Sequence, residues 1–139
     1  MGAKIHDLCL WADSQIYEEL AKVYNKKPVF KGLAFPTTIA PNEVCGYFAP
    51  IPEESVNIKE GDLLNIELGV HVDGFAGLVA HTLVVQSDKN APVTGQKADV
   101  VLAAYNAAQA ALRLIKPGHT NNEVTEVIQK VADSYKVTP

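Results

Sequence analysis

The stretch that most restricts this chain is residues 63–85. Leu63-Leu64-Asn65-Ile66-Glu67-Leu68-Gly69-Val70-His71-Val72 alternates large apolar residues with polar or small ones, Asp73-Gly74 follows, and Phe75 to Val85 returns. A period of two is the mark of a half-buried strand, because successive side chains leave opposite faces. Asp-Gly between two such runs marks a two-residue hairpin turn, with glycine supplying the positive φ. That turn pairs Val72 with Phe75 and thereby sets every other pair. Parity then sorts the side chains. Leu64, Ile66, Leu68, Val70 and Val72, with Phe75, Val79, Leu83 and Val85, make an apolar face expected to be core. Asn65, Glu67, Gly69 and His71, with Ala76, Leu78, Ala80 and Thr82, make a mixed face that lines a cavity or meets solvent.

The rest of the chain reads as helices and loop. Ile5, Leu8, Cys9, Ala12, Ile16, Leu20 and Val23 recur at intervals of three and four, one apolar stripe on a helix, and Asn25-Lys26-Lys27-Pro28 stops it. Residues 32–62 are punctuated by Pro36, Pro41, Pro50 and Pro52 and read as a long loop with one short strand near Ile39. Val100, Val101, Ala104, Ala107, Ala108, Ala111, Leu112 and Ile115 predict an alanine-rich helix that Lys116-Pro117-Gly118 ends. Thr120-Asn121-Asn122-Glu123 reads as a capping box opening a last helix with Val124, Val127, Ile128, Val131 and Tyr135 inward. Helix, long loop, hairpin, helix, helix predicts an α+β fold with a mostly antiparallel sheet.

A divalent metal on a sheet wants carboxylates on one face of neighbouring strands. Glu67 supplies one; its direct partner is Ala80 and its diagonal neighbour is Leu78, which coordinates nothing. His71 shares the face but lies roughly 13 Å along the strand. Asp62 and Asp73 fall at the strand entrance and in the turn, where solvation is expected. His81 falls on the apolar face and reads as a core or edge residue, while His6 and His119 read as exposed. Lys26, Lys27 and Lys31 form a small basic cluster, read first as a solvated loop and second as an anion contact. Cys9 and Cys45 lack metal-type spacing and read as free thiols in a reducing compartment. Twelve Lys and Arg against sixteen Asp and Glu leave a formal charge of −4, which argues against sequence-independent phosphate binding by this stretch. No secretory signal or membrane helix is visible. From the residues alone, no convincing active site emerges.

Lys31-Gly32-Leu33-Ala34-Phe35-Pro36-Thr37 and Asn65-Ile66-Glu67-Leu68-Gly69-Val70-His71-Val72-Asp73-Gly74 resemble the type 2 methionine aminopeptidase family, which has the pita-bread (creatinase/aminopeptidase-like) fold. Val79-Ala80-His81-Thr82 and the segment from Ala110 to Gly118 are similar to its non-enzymatic branch, the proliferation-associated (ErbB-binding) proteins. The family's enzymes place aspartates on the two hairpin strands, at positions that fall here on Glu67 and Leu78, and a histidine in the preceding loop, which falls on Tyr47. The resemblance therefore implies a protein without catalytic residues, metal or other cofactor, with Tyr47, Glu67 and Leu78 as degenerate former-site positions. The family domain is longer than this chain, so the resemblance also implies that residues 1–139 are the N-terminal part of a single pita-bread domain whose C-terminal half is absent.

The role implied is a binding scaffold associated with ribosomes, RNA and protein partners in ribosome biogenesis and growth regulation, in the cytoplasm and the nucleus or nucleolus, with no membrane. A divergent metallo-aminopeptidase and a non-cleaving peptide-binding module are the alternatives. A half-fold would expose apolar surface, which implies self-association of the fragment.

Overall fold

The computed structural model describes residues 2–139. The chain divides into two compact units, one ending at Lys89 and one running from Asn90 to Pro139. The first holds helix α1 (Ile5–Leu20) and strands β1 (Lys31–Pro41), β2 (Leu63–Val72) and β3 (Phe75–Val84); the second holds helices α2 (Gln96–Leu114) and α3 (Asn121–Ser134). The expected α+β class and antiparallel sheet are both present, with strand order β1-β2-β3.

The hairpin forms as its turn dictates. Asp73 and Gly74 adopt φ of 54° and 82°, the double positive φ of a type I′ turn. From it an unbroken ladder runs from Val72↔Phe75 to Leu63↔Val84.

On the other side of β2, residues 31–41 form a strand of eleven residues, where the prolines predict loop with only a short strand near Ile39. The prolines are accommodated by irregularity: the pairing with β2 shifts between Leu33 and Phe35 and again between Phe35 and Thr38. Pro36 sits in this bulged stretch, where a missing N–H costs no ladder bond. The Thr37 amide, freed from the ladder, donates instead to the Asp13 carboxylate of α1 at 2.9 Å. Asn42 closes the far end, its amide donating to the Leu63 carbonyl at 2.7 Å while its side chain accepts from the Leu63 amide at 3.0 Å.

The core sits between α1 and one face of the sheet. Ile5 and Cys9 from α1, Ile39 from β1, Leu64 from β2 and Ile58 are buried together, with Leu8, Phe48, Ile66 and Val85 packed around them. Burial pushes the Cys9 thiol up to about 11, aided by the negative charge of Asp13, so it stays protonated and unreactive at neutral pH. Cys9 and Cys45 are both free.

Two expected faces are corrected. Phe75, Val79 and Leu83, assigned to the core by parity, are exposed. Parity put them on the right face, but β3 is an edge strand while α1 packs on β1, so the cover does not reach them. Leu68 and Val70 instead line a groove of about 420 Å³ with Trp11, Ile16 and Leu20. Helix α1 also ends earlier than its stripe suggests, at Leu20; Val23 lies beyond it and is exposed.

In the second unit, Val101, Ala107 and Ala111 of the expected α2 stripe are half-buried and Val100, Ala104, Ala108, Leu112 and Ile115 are exposed, while Ala103 is buried and Asn106, Ala110 and Leu114 are half-buried. The Asn106 side chain donates to the Tyr135 hydroxyl at 2.8 Å, which ties α2 to the residue that ends α3. The capping box forms as expected. The Thr120 amide donates to Glu123 at 2.7 Å and holds that carboxyl below its usual range, with His119 assisting.

The Asp13–Thr37 bond ties helix to sheet where the ladder is broken. Asp13→Ala leaves the buried Thr37 amide without a partner and is expected to lower stability by about 1–3 kcal/mol, read as a lower urea midpoint with an unchanged m-value.

Candidate functional site

The mixed face of the hairpin is built from three strands. On β2, Asn65 lies between Ala40 and Thr82, Glu67 between Thr38 and Ala80, Gly69 between Phe35 and Leu78, and His71 between Gly32 and Ala76. Parity alone gives the β2 and β3 members of this set. The β1 members, Ala40, Thr38 and Phe35, were missed because Pro36 and Pro41 hide the strand that carries them.

Glu67 is half-buried. Its Oε1 accepts a bond from the Asn65 side chain at 3.1 Å, and a β-carbon placed on Gly46 would lie 3.7 Å from the same oxygen. The segment after β1 therefore passes directly beside the carboxylate. Tyr47, next in that segment, has φ of 55° and is 86% exposed, so its side chain stands in solvent. The following residue, Phe48, is drawn back to the core and accepts a bond at its carbonyl from the Ile39 amide at 2.9 Å.

Gly69 explains the neighbouring space. A β-carbon there would fall 2.6 Å from Phe35 Cε1 and 2.8 Å from Leu78 Cδ2. The ring from β1 and the aliphatic side chain from β3 thus approach each other over a glycine floor. Leu78 is still 65% exposed on its outer side. Among the described residues, three buried side-chain polar atoms of the sheet have no hydrogen-bond partner, Thr37 Oγ1, Thr38 Oγ1 and His71 Nδ1. The His71 ring lies 4.8 Å from that of Phe30.

The remaining titratable groups are held elsewhere. Asp62, expected to be solvated, accepts from the Asn42 side chain at 3.0 Å and the Lys59 amide at 2.8 Å, so it organises the entry to β2. His6, expected to be exposed, is half-buried, with Nδ1 2.8 Å from the Pro50 carbonyl. His81 is exposed on the edge strand. His119 lies 3.3 Å from Glu123. Of the lysines, Lys26 and Lys27 line a groove of about 520 Å³ with Lys22, Tyr24 and Asn25. Lys31 donates to the Val23 carbonyl and the Asn25 side chain.

Such a site can orient a polar or cationic group at Glu67 beside a hydrocarbon surface. Its donors do not fit a divalent ion by themselves: Glu67 faces an alanine and a leucine, and among the described residues no three His, Cys, Asp or Glu side chains come together. Gly69→Ala should clash with the Phe35 ring, since exposed Leu78 can swing away and the half-buried ring cannot. The expected cost is about 1–3 kcal/mol, measured by thermal unfolding, and Phe35→Ala in the same chain should remove the incremental cost of the added methyl.

Comparison with known proteins places this geometry. The family model for metallopeptidase family M24 matches residues 5–138. The chain is 47% identical over 141 residues to "Curved DNA-binding protein" of Schizosaccharomyces pombe, an alignment covering 99% of this chain and 36% of that protein. It is 42% identical over 139 residues to "Proliferation-associated protein A" of Dictyostelium discoideum, covering 99% and 36%. Among solved structures, a thermophilic Arx1 superposes with a TM-score of 0.79 at 31% identity, over 96% of this chain and 42% of that one. The chain spans about a third of the length of these two curated relatives. With a family match over nearly its whole length, a pita-bread-like sheet and helices, and proliferation-associated relatives at this identity, the chain belongs to metallopeptidase family M24.

Proposed function

We propose that this chain is the N-terminal part of a single pita-bread domain in a non-catalytic, peptidase-like scaffold. It works by binding, in association with ribosomes, RNA and protein partners, in ribosome biogenesis and growth regulation, in the cytoplasm and the nucleus or nucleolus. The observation that carries the non-catalytic reading is residue 78. Metal-assisted hydrolysis needs an ion to acidify water or polarise a carbonyl. Leu78 puts hydrocarbon where the family's enzymes place a second carboxylate, and packs it towards Phe35 over Gly69. Glu67 keeps a carboxylate but shares it with Asn65, and Tyr47, at the position of the family's loop histidine, is turned out to solvent.

The binding role rests on the relatives. One is named for curved DNA and one for proliferation, and both align along almost all of this chain. On the chain itself the nucleic-acid reading has one supporting feature, the groove bearing Lys22, Lys26 and Lys27. Lys31, spent on the turn that precedes β1, is left out of it. The peptide-binding alternative has a feature of its own: Ala76, Leu78 and Ala80 form an exposed apolar strip beside Glu67, suited to a peptide held without cleavage.

Two measurements test this. Methionine release from a Met-initiated peptide is expected to be undetectable with the protein at its full natural length, in cobalt, manganese or zinc, while an active type 2 enzyme turns over beside it. Release near the control rate would return the divergent-peptidase reading. For nucleic acid, replacing Lys26 and Lys27 with glutamate should weaken RNA binding and reduce the slope of log affinity against log salt by about 1–2. An unchanged slope would remove this groove from the interface.

A further inference from the structure

Residues 21–31 concentrate charge of one sign. They hold four of the chain's twelve Lys and Arg, namely Lys22, Lys26, Lys27 and Lys31, and none of its sixteen Asp and Glu, in a chain whose formal charge is −4. Aromatic residues are set between them: Tyr24 after Lys22, and Phe30 before Lys31. The groove at this place is lined by Lys22, Tyr24, Asn25, Lys26, Lys27 and Val29. One short stretch of chain supplies every wall, so the groove's shape is a property of that stretch. Ammonium groups keep to water, and three of them hold the stretch at the surface in whatever longer chain carries it.

Tyr24 has an unusual backbone. Its φ is 53°, the left-handed region, where the β-carbon of a bulky residue crowds the following carbonyl. Bonds on both sides hold it there. The Asn25 side chain donates to the Ala21 carbonyl at 2.6 Å and accepts from Lys31 Nζ at 3.0 Å. The same ammonium donates to the Val23 carbonyl at 2.5 Å. The result is a ring 66% exposed and fixed beside the lysines. Tyr24 is no part of the buried cluster between α1 and the sheet, so packing does not account for the strain. Backbone strain held in place by neighbouring bonds is a mark of functional positions.

We propose that this groove takes a single-stranded nucleic acid, with one unpaired base stacked on the Tyr24 ring and the flanking phosphates on Lys26, Lys27 and Lys22, a reading that rests on the nucleic-acid part of the function proposed above. Lysines meet phosphates without reading sequence. Lys22 is paired with Glu19, an exposed ion pair weak enough for a phosphate to displace. Every base has a π-face, and an exposed tyrosine offers the matching one. A duplex fits less well, because its bases are already stacked and opening a step for the ring has a cost absent from a single strand. An acidic peptide matches the charge and leaves the ring unused.

The test uses the protein at its full natural length. Fluorescence anisotropy follows labelled oligouridylate and oligothymidylate of about twelve nucleotides, and a strand of the same length that has the phosphates and sugars without bases. Tyr24→Gly accepts the left-handed backbone and removes the ring. It should weaken the two strands with bases about tenfold and leave the baseless strand unchanged. The slope of log affinity against log salt should stay the same, because no phosphate contact is lost. Tyr24→Phe keeps the ring and should bind as the natural chain does. A loss confined to one of the two strands with bases assigns the groove to RNA or to DNA. Equal affinity for both in Tyr24→Gly and the natural chain overturns the proposal; if Lys26→Glu with Lys27→Glu still weakens binding, the nucleic-acid reading stands without the stacked base. An equal loss for the baseless strand, or a loss in Tyr24→Phe as large as in Tyr24→Gly, also overturns it. Failure of the natural chain to bind any strand removes the proposal and the nucleic-acid reading together.

Discussion

Everything on the mixed face hangs on the two positive-φ residues at Asp73 and Gly74. A turn of two residues admits one register, and because strand side chains alternate with a period of two, a slip by one residue would exchange the faces entirely. With Val72 opposite Phe75, Glu67 must face Ala80, and Gly69 must face Leu78. The space between Phe35 and Leu78 then follows, since only glycine at position 69 leaves room for both. The absence of a second carboxylate beside Glu67 is thus built into the register of a hairpin, and no rotation of a side chain supplies one.

The other half of the site depends on how β1 tolerates proline. A strand with Pro36 in its middle cannot pair regularly, and the shifts on either side of Phe35 are the price of keeping it in the sheet. The bulge frees the Thr37 amide, and α1 answers with Asp13. The same carboxylate lies close enough to Cys9 to help keep its thiol protonated. One helix position therefore links the irregularity of the sheet to the buried cluster of Ile5, Cys9, Ile39, Ile58 and Leu64. If each such aliphatic side chain contributes about 1.5–3 kcal/mol by leaving water, this cluster is the main support of the first unit. It lies on the face opposite Glu67, so binding at the mixed face need not disturb it.

On this hairpin the diagonal neighbour of Glu67 is Leu78, whose side chain offers an ion no oxygen. Glu67 persists as a hydrogen-bond acceptor for Asn65, and the surface beside it is small and apolar. Such a surface discriminates by shape and hydrogen bonding.

Residues 63–85 disclose their own fold because local rules suffice: period two, a turn that demands glycine, and a register that follows from both. The capping box at Thr120 and Glu123 is legible for the same reason, since its partners are three residues apart. That positions 67 and 78 share one face as diagonal neighbours is likewise legible from parity. What the chain alone could not announce was which faces are covered. Phe75, Val79 and Leu83 lie on the apolar face but are bare, because a helix from elsewhere in the chain covers β1 and not the edge. Strand β1 was legible only near Ile39, because its pairing partner lies more than twenty residues away and its prolines argue against a longer strand locally. Helix α2 covers only part of its expected stripe: Val101, Ala107 and Ala111 are half-buried, and Val100, Leu112 and Ile115 are bare. Local sequence determines which conformations and registers are open to a segment; burial is a property of what packs against it, and only the tertiary structure decides that.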